Sequence, residues 1–182
     1  AAYSVFDVEE MAQVEQGVAS IASQLGGIDI LINNAGVGDF GSFEEMPVET
    51  WEKVMKVNLF GVYYVAKAAL PYLKQNKEGD IVNVASTAGL KGAPNMSAYC
   101  ASKAAVISLS QSLMAELRKF NIRVITLTPS TIATDMSIEG KLTDGNPEKV
   151  LQPEDFAEWV RDILKMNRRA MIANASIFST NP

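Results

Sequence analysis

Tyr99 and Lys103 lie four residues apart in a stretch with helical spacing, so their side chains share one helix face about one turn apart. A free tyrosine has a pKa of about 10. A neighbouring ammonium favours the phenolate and pulls that value toward neutrality. A tyrosine tuned in this way can donate a proton to a carbonyl oxygen and recover it from an alcohol. The pair alone describes a surface aromatic beside a solvated lysine equally well, so its surroundings decide the reading. Ser86 follows an apolar run and precedes the tyrosine stretch by a short loop. Its hydroxyl can bond a substrate carbonyl and steady the charge that develops there, although a serine at a strand end is also an ordinary turn former. Asn58 sits inside a long helical stretch between Val57 and Leu59, a position where asparagine is a mediocre helix former.

The rest of the composition narrows the chemistry. The 182 residues contain no histidine and one cysteine, Cys100. Ser-His-Asp and Cys-His catalysis are therefore excluded, an intramolecular disulfide is impossible, and no metal site is expected. Cys100 beside the tyrosine reads as a small buried hydrophobe. The net charge is −5 and the basic residues are scattered, which argues against a nucleic-acid surface. No apolar stretch approaches the roughly 20 residues needed to span a bilayer, and no basic, apolar signal segment opens the chain. A cytoplasmic protein that binds no membrane is the expectation.

These residues need a frame to position them. Tyr3 to Phe6 reads as a short strand ending at Asp7. Glu9 to Leu25 is amphipathic, with Met11, Val14, Val18, Ile21 and Leu25 at helical spacing, and Gly26-Gly27 stops it. Ile28 to Ile32 reads as a strand buried on both faces. Asn33-Asn34-Ala35-Gly36 then turns the chain. Val48 to Gln75 reads as one long helix with Pro71 near its end. Asp80 to Ala85 is a strand, Ser86 to Asn95 a loop, Met96 to Phe120 a helix, and Ile122 to Leu127 a strand ending at Pro129. A polar loop leads to Pro153, which suits the first turn of a helix through Leu164. Arg169 to Phe178 is a candidate last strand. Strands alternating with such helices predict a single α/β domain with a doubly wound, mostly parallel, Rossmann-like sheet. Ligands of such sheets bind beyond the carboxyl ends of the strands. The loops carrying Asp7, Asn33 to Gly36, Ser86 and Pro129 to Thr134 are expected to share that rim.

Asn33-Asn34-Ala35-Gly36, Asn58, Ser86, Tyr99-x-x-x-Lys103 and Pro129-x-x-Ile132-x-Thr134 occur in the order and spacing of the short-chain dehydrogenase/reductase family. From Asp7 to about Asp135 the chain resembles that family, and in particular bacterial 3-oxoacyl-acyl-carrier-protein reductases and their relatives. The resemblance implies an NAD- or NADP-dependent oxidoreductase that reduces a ketone, a 3-oxoacyl thioester or a small ketone, by hydride transfer. In that resemblance Tyr99 is the proton donor, and Lys103 lowers its pKa and holds the nicotinamide ribose. Ser86 orients the substrate carbonyl. The backbone carbonyl of Asn58 holds a water linking Lys103 to solvent. Asp7 contacts the adenine, and Asn33, Ala35 and Gly36 line the adenosine side. Pro129, Ile132 and Thr134 contact the nicotinamide. The family often forms tetramers, and the apolar stretch of Val62, Tyr63, Tyr64, Val65, Ala68, Ala69 and Leu70 suggests a homo-oligomer, a dimer or a tetramer.

The sequence also departs from that pattern. No TGxxxGxG phosphate loop occurs, and the stretch at Tyr3 resembles the family's third strand. The expectation is a sheet incomplete at its N-terminal side, lacking two βα units that the natural protein contains, with weak dinucleotide binding by these 182 residues alone. Pro129-Ser130 stands where Pro-Gly is common, which serine tolerates at negative φ. The ending Phe178-Ser179-Thr180-Asn181-Pro182 and the brief segment from Asp135 to Pro153 also differ, and the latter predicts an open pocket. An acidic acyl carrier would seek basic residues near the pocket mouth; Lys77, Arg118 and Lys119 are candidates beside Phe120. The competing readings are a truncated, non-catalytic chain serving as a binding or oligomerisation module, and a sugar-nucleotide epimerase sharing the Tyr-Lys pair. The latter is less expected, because such epimerases normally add a large C-terminal substrate domain for which these 182 residues leave no room.

Overall fold

The computed structural model describes residues 1–180. Asn181 and Pro182, the end of the divergent C-terminus, lie outside the described residues. Four strands, β1 (Ile30–Asn33), β2 (Gly79–Val84), β3 (Ile122–Pro129) and β4 (Asn174–Ile177), form one sheet in the order β1-β2-β3-β4. All three pairings are parallel, with Ile30 opposite Asp80, Gly79 opposite Ile122 and Thr126 opposite Asn174. The helices are α1 (Met11–Leu25), α2 (Val48–Met55), α3 (Gly61–Leu73), α4 (Ser97–Leu117), α5 (Asp135–Glu139) and α6 (Pro153–Lys165).

Side-chain alternation along the strands divides the core. Ile81, Ile122 and Val124 face one way and pack with Val14 and Val18 of α1, Ala69 and Leu73 of α3 and Leu117 of α4. Val82, Ile125 and Leu127 face the other way and pack with Val160 and Ile163 of α6. Helices therefore cover both faces, as a parallel sheet requires. Leu73 is fully buried, so its truncation to alanine costs about 2–5 kcal/mol.

Local signals explain most boundaries. Gly26 closes α1 in the left-handed region, with φ 81° and its N–H on the Ala22 carbonyl, where a Cβ is disfavoured. Pro153 occupies the first turn of α6, where its missing N–H costs nothing. At the bottom of the sheet, Asp80 of β2 accepts from Arg123 (2.6 and 3.0 Å) and from Arg168 (2.9 and 2.8 Å). Arg123 also donates to the carbonyls of Leu164 and Met166, which satisfies the C-terminal end of α6 and ties it to the sheet.

Three expectations need correction. Tyr3 to Phe6 is not a strand: it pairs with nothing in the sheet, and Tyr3 and Val5 are exposed. An extended segment becomes a strand only through a neighbour's backbone groups. Phe6 instead lies on α1, so close to Gly17 that a Cβ there would meet its ring. Second, β1 is not buried on both faces. Ile30 is 47% and Ile32 45% exposed, because β1 is the edge of the four-stranded sheet. Third, the long helix from Val48 is interrupted by a π-helical segment, Lys56–Phe60, that carries Asn58. Smaller differences are a 3-10 turn at Thr87–Gly89 and the short helix α5 in the polar loop.

Candidate active site

The C-terminal ends of β1, β2 and β3 open onto a cavity of about 640 Å³. Gly36, Ser86, Tyr99, Lys103, Pro129, Ile132 and Thr134 all reach it, so seven of the residues singled out in the sequence meet there. The strand ends supply Ser86 and Pro129, and α4 supplies Tyr99 and Lys103 from its first two turns.

Ser86 has extended backbone, and its oxygen accepts the Ala88 N–H at 3.1 Å. That bond fixes the hydroxyl at the mouth of β2. The adjoining turn packs against α4 at Gly89, where a Cβ would stand 2.7 Å from the Lys103 carbonyl carbon. Only a bare Cα lets the serine loop approach the tyrosine helix this closely.

Burial raises the pKa of Tyr99, and interaction with the Ser86 side chain opposes the rise. Lys103 is buried, and desolvation pushes its pKa down to about 8. Its ammonium donates to the Val84 carbonyl at 2.9 Å and lies 5.7 Å from the centroid of the Tyr99 ring. The expected depression of the tyrosine pKa by this lysine is not what the chain shows. Desolvation is the larger effect at both groups, and the ammonium is turned to a backbone carbonyl.

Asn58 does not enter the cavity. It is fully buried behind it, accepting from the Val37 N–H at 2.8 Å and donating to the Val37 carbonyl and to Ser102 Oγ. Ser102 in turn donates to the Tyr99 carbonyl. The Asn58 side chain thereby joins the loop after β1 to the tyrosine turn of α4. A π-helical turn breaks the regular i→i−4 ladder around it.

Asn33 is likewise buried and bonded inward, to Asn83 of β2 at 2.8 Å; Asn83 donates to Ser110 of α4. Asn33 and Ala35 line a smaller cavity, about 180 Å³, with Phe6 and Val8; Asn34 borders both cavities. Asp7 is exposed and lines neither; its carboxylate accepts the Glu9 N–H. Asp7 and Asn58 both line neither cavity, and of the two only Asn58 is bonded to the loop and helix turn that border the site.

Other residues at the cavity had not been singled out. Ser137 accepts the Thr134 N–H at 3.0 Å and donates to the Ile132 carbonyl at 2.6 Å, so it shapes the Ile132–Thr134 turn. Its position three residues after Thr134 is capping-box spacing, a legible signal. Phe40, Met96, Met136 and Leu142 form apolar wall, and nothing local marks them. Ser130 is not among the positive-φ residues, which are Asn95, Asn121 and Lys141 among non-glycines, so serine is accommodated after Pro129. Among the described residues there is no group of histidine, cysteine or carboxylate side chains that could hold a metal, and no helix long and apolar enough to cross a membrane.

Comparison with known proteins gives the same picture. Residues 1–144 match the family model for short chain dehydrogenases. The chain is 36% identical over 188 residues to an inactive 2-(S)-hydroxypropyl-CoM dehydrogenase of Xanthobacter autotrophicus, covering 96% of this chain and 81% of that protein. It is 37% identical over 145 residues to a 3-oxoacyl-[acyl-carrier-protein] reductase of Thermotoga maritima, covering 80% of this chain and 56% of that protein. Among solved structures, an alcohol dehydrogenase from the archaeon Thermococcus sibiricus, complexed with 5-hydroxy-NADP, superposes with a TM-score of 0.89 at 27% identity, covering 99% of this chain and 75% of the other. A parallel sheet covered on both faces, the Ser86, Tyr99 and Lys103 cavity at its carboxyl rim and this match over most of the sequence lead to one conclusion: the chain belongs to the short-chain dehydrogenase family.

Proposed function

We propose that the protein is an oxidoreductase that uses NADP or NAD to reduce a ketone to an alcohol, with Tyr99 as the acid. The observation that carries this reading is the meeting of Ser86, Tyr99 and Lys103 at one cavity. That cavity is large enough for a nicotinamide and a small substrate together.

The residues present fit the nicotinamide riboside half of such a cofactor. Lys103 spends one of its three donors on Val84, which leaves two for ribose hydroxyls. A Cβ at Gly36 would come 3.3 Å from Asn58 Oδ1 and 3.6 Å from Lys103 Nζ, so glycine preserves open floor beside the ammonium. Pro129, Ile132 and Thr134 offer an apolar and hydrogen-bonding edge for the ring and its carboxamide. When bound, the nicotinamide supplies the hydride that adds to the carbonyl carbon.

The side chains of this chain do the rest. Ser86 donates a hydrogen bond to the carbonyl oxygen and holds it beside the phenol. Tyr99, kept protonated at neutral pH by its burial, passes its proton to that oxygen as charge develops. Lys103, charged below about pH 8, stabilises the phenolate left behind. The bound Asn58 amide keeps the loop after β1 and the Tyr99 turn in register, and its backbone carbonyl is the proposed seat of a water that returns the proton.

A 3-oxoacyl thioester on an acyl carrier is one ketone of this kind. The basic residues expected at the pocket mouth for an acidic carrier are not there: Lys77, Arg118 and Lys119 lie with Phe120 at the amino ends of β2 and β3, and the cavity opens at the carboxyl ends. The test of the proposed reaction is direct. Full-length protein, reduced cofactor and a ketone are mixed, and oxidation of the cofactor is followed by absorbance while the alcohol is identified by mass spectrometry. Oxidation matched by alcohol, mole for mole, supports the reading; cofactor that stays reduced with every ketone, although bound, contradicts it and returns the chain to a binding or oligomerisation role.

A further inference from the structure

We infer that Phe40 is the specificity-determining residue of this site, and that with Met96, Met136 and Leu142 it selects uncharged ketones carrying an apolar substituent. The inference rests on the oxidoreductase reading above and names its substrate class.

Phe40 lies in the loop after β1 and reaches the cavity that holds Ser86 and Tyr99. Its ring stands edge-on to the Tyr99 ring, with centroids 5.7 Å apart and planes at 71°, a favourable aromatic geometry. Two glycines seat it. A Cβ at Gly38 would come 2.7 Å from the ring tip, and one at Gly140, just after α5, would come 2.7 Å from the ring edge. The ring is thus wedged between the loop after β1 and the end of α5. The loop itself is fixed by the Gly41 N–H on the Asn95 carbonyl at 2.9 Å, which brings it beside Met96. The ring so held, against the proton donor, is half-buried and lines the cavity.

The charges around the cavity point the same way. Among the described lining residues only Lys103 and Asp135 are charged. Lys103 is committed beside Tyr99, so no other cation is there to pair with a carboxylate, sulfonate or phosphate on the substrate, and Asp135 repels one. Beside the neutral Asn34, Thr87, Ser130, Thr131 and Ser137, the larger side chains left to hold a substituent are the phenyl ring, two thioethers and a leucine, which recognise apolar surface by burial. In a cavity of about 640 Å³ such a wall acts by attraction more than by exclusion.

The experiment measures kcat/KM for butanone, benzylacetone, methyl propyl ketone and levulinate in the wild type and in Phe40→Ala. The wild type should favour benzylacetone over butanone and methyl propyl ketone over the keto acid levulinate. Phe40→Ala should lower the benzylacetone-to-butanone ratio by about tenfold, which is about 1.4 kcal/mol, chiefly through KM. Phe40→Leu, which restores an apolar wall, should recover most of that ratio. Phe43→Ala, on the same loop but 80% exposed, should leave it where it was. Where the alanine variant does not fold, Phe40→Asn is read for the same ratio. A ratio that Phe40→Ala or Phe40→Asn leaves unchanged, an equal loss with both ketones, or a wild-type preference for levulinate overturns the assignment while ketone reduction itself stands. A wild type that reduces none of the ketones overturns the oxidoreductase reading and this inference with it.

Discussion

The Lys103 ammonium lies 5.7 Å from the centroid of the Tyr99 ring while bonded to the Val84 carbonyl, and burial shifts these two groups in opposite senses. Burial raises the tyrosine pKa and brings that of the lysine down to about 8. Both shifts favour uncharged side chains.

These shifts set the pH dependence of stability. Lys103 has a lower pKa folded than unfolded, so below about pH 8 its buried charge costs stability. Between about pH 8 and the ordinary lysine value of about 10.4, the folded state sheds this proton first and stability rises with pH. Tyr99 has the opposite sign. Its raised value favours the folded state at low and neutral pH, and that contribution is lost at pH values above the ordinary tyrosine value of about 10. Urea unfolding across this range should show the wild type gaining stability relative to Lys103→Met from pH 8 upward. A difference that does not change with pH would contradict the assigned burial of the ammonium.

Asn58 gives a second prediction. Replacing it with alanine removes the partners of the Val37 N–H, the Val37 carbonyl and Ser102 Oγ at a fully buried position. Each buried polar group left unsatisfied costs about 1–3 kcal/mol, so Asn58→Ala should destabilise by on the order of 3 kcal/mol. Asn58→Asp, which can accept from Val37 but cannot donate in its ionised form, should recover little of this. Chemical denaturation measures both.

A third prediction concerns assembly. Phe60 and Tyr63 are 45% and 42% exposed on one side of the interrupted helix, and Tyr64 lies against both. Val62 and Ala69, by contrast, turn inward. We propose that this aromatic face is covered by a second copy of the chain in a homo-oligomer. Light scattering should give a dimer or tetramer at micromolar concentration, and Tyr63→Glu should shift it toward monomer. A wild-type monomer would contradict the proposal.

The elements were legible where periodicity was long and ends were punctuated. Val14 and Val18, the Gly26-Gly27 stop, Pro153 and the alternation through β3 each carry their own local reason. The misread elements depend on neighbours. Tyr3 to Phe6 has strand composition, but strand formation is decided by a partner. The exposure of Ile30 and Ile32 is likewise set by what lies beside β1. The π turn at Asn58 was marked only by a poor helix former between apolar residues, and its cause lies in Val37 and Ser102, 21 residues before it and 44 after it. At the site, Tyr99, Lys103 and Ser86 were found because their chemistry is specific to type and spacing. Phe40 and Met136 were not, because an apolar wall is made by tertiary contact and leaves no spacing to read.

The most direct measurement of the central claim is the ketone reduction rate of Tyr99→Phe, with cofactor binding measured in parallel by calorimetry. Phenylalanine keeps the ring against Phe40 and beside Lys103 and removes only the proton donor. Reduction should fall by at least about a thousandfold, some 4 kcal/mol in the barrier, while cofactor affinity changes little. A rate that survives within about tenfold, a difference of only about 1.4 kcal/mol, would show that another group protonates the carbonyl.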